Sequence, residues 1–347
     1  MGLLGRSRST VGLDIGSGLI KLVVISHGSG GPVLTKVAFT QVVDDAIVEG
    51  EVMDPGIVAE AIRGLFASSG IKPKHLITAV GGRDVIIKKI SMDRMKEPEA
   101  REVIRWEAEQ HVPFDMDNVE LDFQILDPDG EGLQMSVLLV AAKRELVENK
   151  MALLAEVGIQ PSVIDVDAFA LHNAFEVNYP EAMRGVVGLV NIGHEMTNVN
   201  ILEDGTPILT RDLPIGTRRF REDLMRERGM SPADADRLLQ GLDAGDTLAP
   251  FVAARAEDLA VGIDRAAAFL QTATRSTTGL ARLYTSGGGA RIPGLNAALA
   301  DRLRLPVQLA NPMERLQVAD GVFDMMNIDE VAPLLMLPVG LALRSAA

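Results

Sequence analysis

The sequence predicts an α/β protein built from two related halves. Three observations carry this reading. Strand-like and helix-like stretches alternate along the chain. A strand–turn–strand unit near the start returns about 175 residues later, a spacing that fits two related lobes rather than a short-period solenoid. A triple glycine then links a short strand to a helix near the end. At 347 residues the chain is also longer than one core usually fills.

The first unit is Val11–Ile25 (VGLDIGSGLIKLVVI), a β-branched strand, a glycine turn and a second alternating strand. The second is Val187–Leu202 (VGLVNIGHEMTNVNIL). Aligned on the turn, Asp14 meets Asn191, Gly16 meets Gly193 and Lys21 meets Asn198. Each hairpin continues through a turn-rich break into a third strand, Val33–Thr40 and Ile208–Leu213. Between the hairpins, Pro55–Ser69 has helical spacing, with Ile57, Val58, Ala61, Ile62, Leu65 and Phe66 on one face. Leu76–Val80 and Val85–Ile90 read as strands, and Pro98 sits just inside a helix running to about Gln110. Strands Val119–Leu126 and Leu133–Ala141 flank the turn DPDGEG. Helix Arg144–Glu156 closes at Gly158, and Ser162–Val166 is a further strand. The second half is more helical: Arg219–Arg228, Pro232–Gly241, Phe251–Arg275, Asn296–Arg304 and Ala332–Arg344, with a short strand at Leu283–Thr285.

Composition removes several function classes. A 47% hydrophobic, 24% charged chain is ordinary globular material. The net charge of −14 argues against a nucleic-acid binder, which needs a basic surface to displace counterions. Without cysteine there are no disulfides, thiolate metal sites or cysteine nucleophiles. The five histidines do not fall at metal-ligand spacing. No apolar run reaches the ~18–20 residues of a membrane span, and Pro333–Leu343 is shorter and interrupted by proline. The start lacks a signal-peptide core, and Arg6 rules out a myristoylation motif at Gly2. A cytosolic protein without direct membrane insertion is expected.

The turn DIGSG has a definite physical use. Glycine lets the backbone come close to an anion, Ser17 adds a hydroxyl donor, and Lys21 adds a point charge suited to phosphate. Asp14, at the end of its strand, is placed to hold Mg²⁺ through water. The second turn supplies Gly193, His194 and Thr197, and LPIGT puts Gly216 at a helix entrance. LYTSGGGARIPGL places Gly287, Gly288 and Gly289 where a purine or ribose would pack against backbone. It lacks the spacing of a dinucleotide fingerprint.

Here a resemblance can be named. DIGSGLIK is similar to the first phosphate loop of actin at Asp14, Gly16, Ser17, Gly18 and Lys21. NIGHEMTN resembles the second phosphate loop, and SGGGARIPGL the adenosine motif of the actin, FtsA and heat-shock chaperone superfamily. The insertion after Gly82 resembles the inserted subdomain of FtsA. Trp106–Leu126, VIDVDAFAL (Val163–Leu171) and LPVGLALR (Leu337–Arg344) look like the PilM family of type IV pilus assembly. FtsA itself would carry a membrane helix beyond Arg344. The resemblance implies an actin-like two-lobed ATPase fold binding ATP or ADP with Mg²⁺, in these parts: a flexible start (1–9), a first lobe (10–82, 165–185 and 338–347), an inserted FtsA-type subdomain (83–164) and a second lobe (186–337).

It also implies a role: a cytoplasmic scaffold, peripheral at the inner membrane, that binds the N-terminal tail of PilN and meets other pilus platform proteins. Actin- or FtsA-like filament formation through self-association is the alternative. Departures from the pattern lower the expected turnover to slow hydrolysis at most. Asn191 stands where Asp is usual, so it can bond a metal-bound water but supplies no charge. Asp167 falls at the water-positioning place, or is a helix-capping acid. His194 reads as a phosphate contact, a pH-sensitive group, or a solvent-facing loop residue. Trp106 is expected to pack its helix against the inserted sheet rather than to anchor a partner.

Overall fold

The computed structural model describes residues 8–242, 247–274 and 279–344. The expected flexible start lies outside it up to residue 7, while Arg8 and Ser9 are already strand. Arg275, the predicted end of the long helix, also lies outside the described residues.

The first hairpin is β1 (Arg8–Ile15) and β2 (Leu19–Gly28), and β3 (Gly31–Gln41) pairs with β2. A small hairpin, β4 (Ile47–Val48) with β5 (Glu51–Val52), leads into α1 (Pro55–Ser69). That helix starts where the Asp54 carboxylate accepts the Ile57 amide at 3.0 Å, and it stops at left-handed Gly70. β6 (Leu76–Val80) returns parallel to β1. Next come β7 (Val85–Asp93), α2 (Glu97–Glu109), β8 (Val119–Ile125), β9 (Gln134–Lys143), α3 (Arg144–Glu156), β10 (Val163–Val166) and α4 (Asp167–Asn178).

The second lobe repeats the plan with β11 (Val186–Ile192), β12 (Thr197–Glu203) and β13 (Thr206–Leu213). Then follow α5 (Thr217–Arg228), α6 (Pro232–Leu239), α7 (Ala249–Thr274), β14 (Arg282–Ser286), α8 (Leu295–Leu303) and β15 (Val307–Leu309). The chain closes with β16 (Gln317–Val318), α9 (Ile328–Val331), a 3₁₀ turn at Ala332–Leu335 and α10 (Met336–Leu343).

Over five strands the two large sheets match. The first runs β10-β6-β1-β2-β3-β16 and the second β15-β14-β11-β12-β13. In each, an antiparallel hairpin triplet is extended on one side by two parallel strands, and in the first sheet β16 adds a further parallel strand beyond β3. Between the sheets, α4 and α10 lie in a shared core with Val23, Ile25, Ile77, Val187, Leu189 and Tyr284. A helix clamped on several sides must be apolar nearly all round, and α4 buries Ala168, Ala170, Leu171, Ala174 and Phe175. Helices α1 and α3 cover the outer face of the first sheet, and α5 to α8 cover the second.

Three expectations need correction. The insertion is shorter than 83–164. Only β7, α2, β8 and β9 form the added unit, a three-stranded sheet ordered β7-β9-β8 under α2. Helix α3 packs Leu153 and Leu154 with Leu13, Ile62 and Leu65 of the first lobe, and β10 pairs with β6, so residues after Lys143 belong to the first sheet. Near the other end, β16 pairs with β3, which brings residues 317–318 into the first sheet as well. Trp106 does not pack its helix. It is 73% exposed, while Ala100, Ile104 and Ala108 form the buried stripe of α2. Two positions past Ile104, a side chain points away from that stripe.

Candidate functional site

Between the lobes lies a cleft of about 810 Å³. Both hairpin turns open into it, and they have the same shape. The Gly16 amide donates to Leu19 O at 3.1 Å, and the Gly193 amide donates to Met196 O at 2.9 Å. These amides therefore close the turns and are not themselves free for a ligand. The loops meet directly: a Cβ on Gly18 would lie 2.9 Å from His194 Cβ, so a side chain there would wedge them apart. At Gly287 φ is +83°, and a Cβ would lie 2.4 Å from Ile192 O, which explains glycine between β14 and the following turn.

Lining the cleft are Asp14, Gly16, Ser17, Gly18, Lys21, Asp167, Asn191, Gly193, His194, Gly287 and Gly288. Three of the expected contacts do not line it. The Thr197 hydroxyl is buried and donates to Ile215 O at 2.6 Å. Gly216 is buried against the second loop, where a Cβ would lie 2.3 Å from His194 O. Gly289 is buried against Ile192, with a Cβ only 2.2 Å from its Cγ2. All three hold the loops in place instead of facing a ligand. His194 also differs from the solvent-facing reading. It is half-buried, and its Nδ1 lies 2.9 Å from Thr217 Oγ1. Burial first, and then the Arg221 guanidinium, pull its pKa below the usual histidine value, which favours the neutral ring.

The floor of the cleft is a charge assembly. Lys21 Nζ donates to Asp14 Oδ2 at 2.5 Å across the β1–β2 pair. Asp167 opens α4 and fits only because Gly81 lacks a side chain, since a Cβ there would lie 2.2 Å from Asp167 Oδ2. Burial, reinforced by the Asp14 carboxylate, pushes the Asp167 carboxyl up to about 7. A carboxyl at that value is poised to accept a proton near neutrality. On the second lobe, Ser286 Oγ donates to Asn191 Oδ1 at 3.3 Å, Asn191 Nδ2 to Asn198 Oδ1 at 3.2 Å, and Asn198 Nδ2 to Asp212 at 2.6 Å. Asn191 is thus fixed by neighbours on both sides. Burial raises the Asp212 carboxyl, with the Asn198 bond opposing it.

Sequence reasoning missed Lys150, Asp212, Asn198 and Arg221, all of which line the cleft. A signal for Lys150 was available: it sits on the stripe of α3 that carries Leu153 and Leu154, so it is a cation where an apolar residue is expected. Segments from opposite lobes are tied at the mouth, with Arg218 2.7 Å from Asp45 and Arg221 3.0 Å from Asp44. Among the described residues, no group of three or more His, Cys, Asp or Glu could hold a metal, and no helix is long and apolar enough to cross a membrane.

Solved structures with the same architecture are known. One described as the PilM–PilN type IV pilus biogenesis complex is 28% identical, covers 96% of this chain and 98% of its own, and superposes with a TM-score of 0.84. The ethanolamine utilization protein EutJ of Carboxydothermus hydrogenoformans is 19% identical, with 97% and 89% covered and a TM-score of 0.57. The MreB 5 protein of Spiroplasma citri bound to AMPPNP is 11% identical, with 96% and 94% covered and a TM-score of 0.50. The last two bear on fold alone, and together these likenesses show the actin-like α/β fold expected from the two hairpins. Residues 12–346, nearly the whole chain, match the family described as type IV pilus assembly protein PilM. The cleft, the paired loops and the match along the chain lead to one assignment: this protein belongs to the PilM family of type IV pilus assembly proteins.

Proposed function

We propose that this protein is a nucleotide-binding scaffold of the type IV pilus assembly platform, held at the cytoplasmic face of the inner membrane by the N-terminal tail of a PilN-like protein. The observation that carries the proposal is an intact two-loop cleft in a chain that matches a PilM–PilN complex along almost its whole length. The residues fit a magnesium nucleotide. The Gly16–Gly18 and Gly193 turns line the cleft, where backbone can approach phosphate, and Lys21 and Ser17 supply donors. Mg²⁺ commonly uses one or two carboxylates plus phosphate oxygens, which suits Asp14 with Asn191 facing it through water. The bound ion would neutralise phosphate charge. Asp167 would accept a proton from water, and Asn191 would orient that water without adding charge. Hydrolysis at most slow follows from this set, since Asn191 contributes neither charge nor base.

For the tail, the inserted sheet offers an open edge. Among the described residues β8 pairs only with β9, and it starts beside α3, where Arg144 bonds Glu120 at 2.8 Å. An extended peptide can add to such an edge through main-chain hydrogen bonds, with side-chain pockets giving selectivity. The test is calorimetry of a synthetic PilN-like tail against wild type and a variant with residues 84–142 replaced by a short linker, with and without MgATP. Binding to wild type alone, strengthened by MgATP, is expected. Equal binding to both proteins would remove the proposed site.

A further inference from the structure

We infer that Lys150 is a binding residue for the terminal phosphate of a nucleoside triphosphate, and so sets a preference for triphosphate over diphosphate. The inference rests on the nucleotide reading above. Among the described residues, four lysines and arginines line the cleft: Lys21, Lys143, Lys150 and Arg221. Three of them already have an anion. Lys21 is 2.5 Å from Asp14, Lys143 is 2.7 Å from Asp84, and Arg221 is 3.0 Å from Asp44 and 3.6 Å from Asp236. Among the described residues Lys150 makes no ion pair within 4.0 Å, although Asp167 and Asp14 are near enough to act on it electrostatically.

Its position is set by the helix. Leu153 and Leu154, three and four residues on, are buried in the first-lobe core, so the Lys150 stem runs along the same stripe and its ammonium emerges at the cleft floor. Burial there pushes the lysine towards its neutral form, with the Asp167 and Asp14 carboxylates acting the other way. A half-buried cation without a bonded partner keeps its charge most readily when an anion arrives. The end of the cleft is also identified. Lys150 shares Asp14 and Asp167 as electrostatic neighbours, and both belong to the first lobe, whereas the Gly287–Gly288 turn suited to the nucleoside belongs to the second. The group reaching Asp14 and Asp167 from that turn is the far end of the phosphate chain. A diphosphate ends one phosphate short of it.

The test is titration calorimetry with magnesium AMPPNP and magnesium ADP on the full chain, for wild type, Lys150→Met and Lys150→Arg. One charge-assisted hydrogen bond corresponds to roughly a 10- to 100-fold loss of affinity. That loss is expected for AMPPNP in Lys150→Met, with ADP affinity changed less than about 3-fold and Lys150→Arg retaining most of the preference. Should Lys150→Met fail to fold, wild type labelled as ¹³C-dimethyl-lysine decides. The signal that disappears in Lys150→Arg is expected to move with AMPPNP and to stay put with ADP. Equal loss for both nucleotides, no loss for either, or a Lys150 signal indifferent to AMPPNP overturns the inference while leaving nucleotide binding intact. Failure of wild type to bind both nucleotides overturns the functional reading, and the inference with it.

Discussion

Asp167→Asn provides a test of the cleft that needs no ligand. In the folded protein burial and the nearby Asp14 and Asp212 carboxylates raise this carboxyl from 3.8 to about 7, against the opposing pull of Lys150 and Lys21. The native state therefore holds the proton more tightly than the unfolded chain does. As pH rises above about 4 the unfolded chain loses its proton first, so stability falls until about pH 7 and the full penalty remains above that. About three units at ~1.4 kcal/mol each set an upper bound of roughly 4 kcal/mol. Partial solvent access to Asp167 reduces this to ~1–3 kcal/mol. With an unfolding entropy of ~0.7 kcal/mol/K for a chain of this size, that is about 1.5–4 °C. Asparagine keeps the shape and removes the charge. Melting of the ligand-free protein in EDTA, followed by circular dichroism, is expected to show Asp167→Asn higher than wild type by that amount at pH 8.5, and by a smaller amount at pH 5. A difference that stays flat with pH, or shrinks as pH rises, would refute the reasoning.

Two further outcomes are expected. Millimolar MgATP should raise the melting temperature of wild type by several degrees, and Asp14→Ala and Lys21→Ala should each reduce that shift, as read by scanning calorimetry. No shift in wild type would remove the nucleotide from the proposal. Phosphate release from MgATP should run well below the ~10 s⁻¹ typical of dedicated enzymes, and Asn191→Asp should raise it without loss of nucleotide affinity. A wild-type rate of several per second without a partner would contradict the assignment of Asn191.

Much of the lobe architecture is legible because its signals are local. Period-two alternation around DIGSG and NIGHEMTN marks both hairpins, and their internal alignment holds in the structure down to the matching Gly16 and Gly193 turn bonds. What a local signal cannot carry is the choice of partner sheet. Helix α3 and strand β10 follow the inserted strands in sequence, but their apolar faces join the first lobe, and nothing in Arg144–Val166 by itself distinguishes the two destinations. The same limit explains the site residues. Asp14, Lys21 and Asn191 sit in recognisable turns, whereas Asp212 reaches the cleft through its register with Asn198 and Lys150 through the packing of a remote helix. Thr197, Gly216 and Gly289 belong to the same turns, but a motif does not say whether a residue faces the ligand or braces the loop behind it.

The position of α10 has a consequence for how the protein is made. This late helix lies against the first strands of the chain. The Thr10 hydroxyl donates to Ala342 O, a Cβ on Gly12 would lie 2.2 Å from Pro338 O, and Arg344 bonds the buried Asp165 at 2.6 Å. During synthesis the first lobe therefore waits with one face uncovered until the ribosome has delivered residues 336–344. The second lobe, drawn almost wholly from residues 186–309, can collect its core earlier. Closing a contact across 332 residues is entropically slow, and the exposed strands of a waiting half-lobe are the surface that chaperones and aggregation compete for. Truncations that remove only the last turns would be felt first as a loss of soluble protein, at the opposite end of the sequence from the cut.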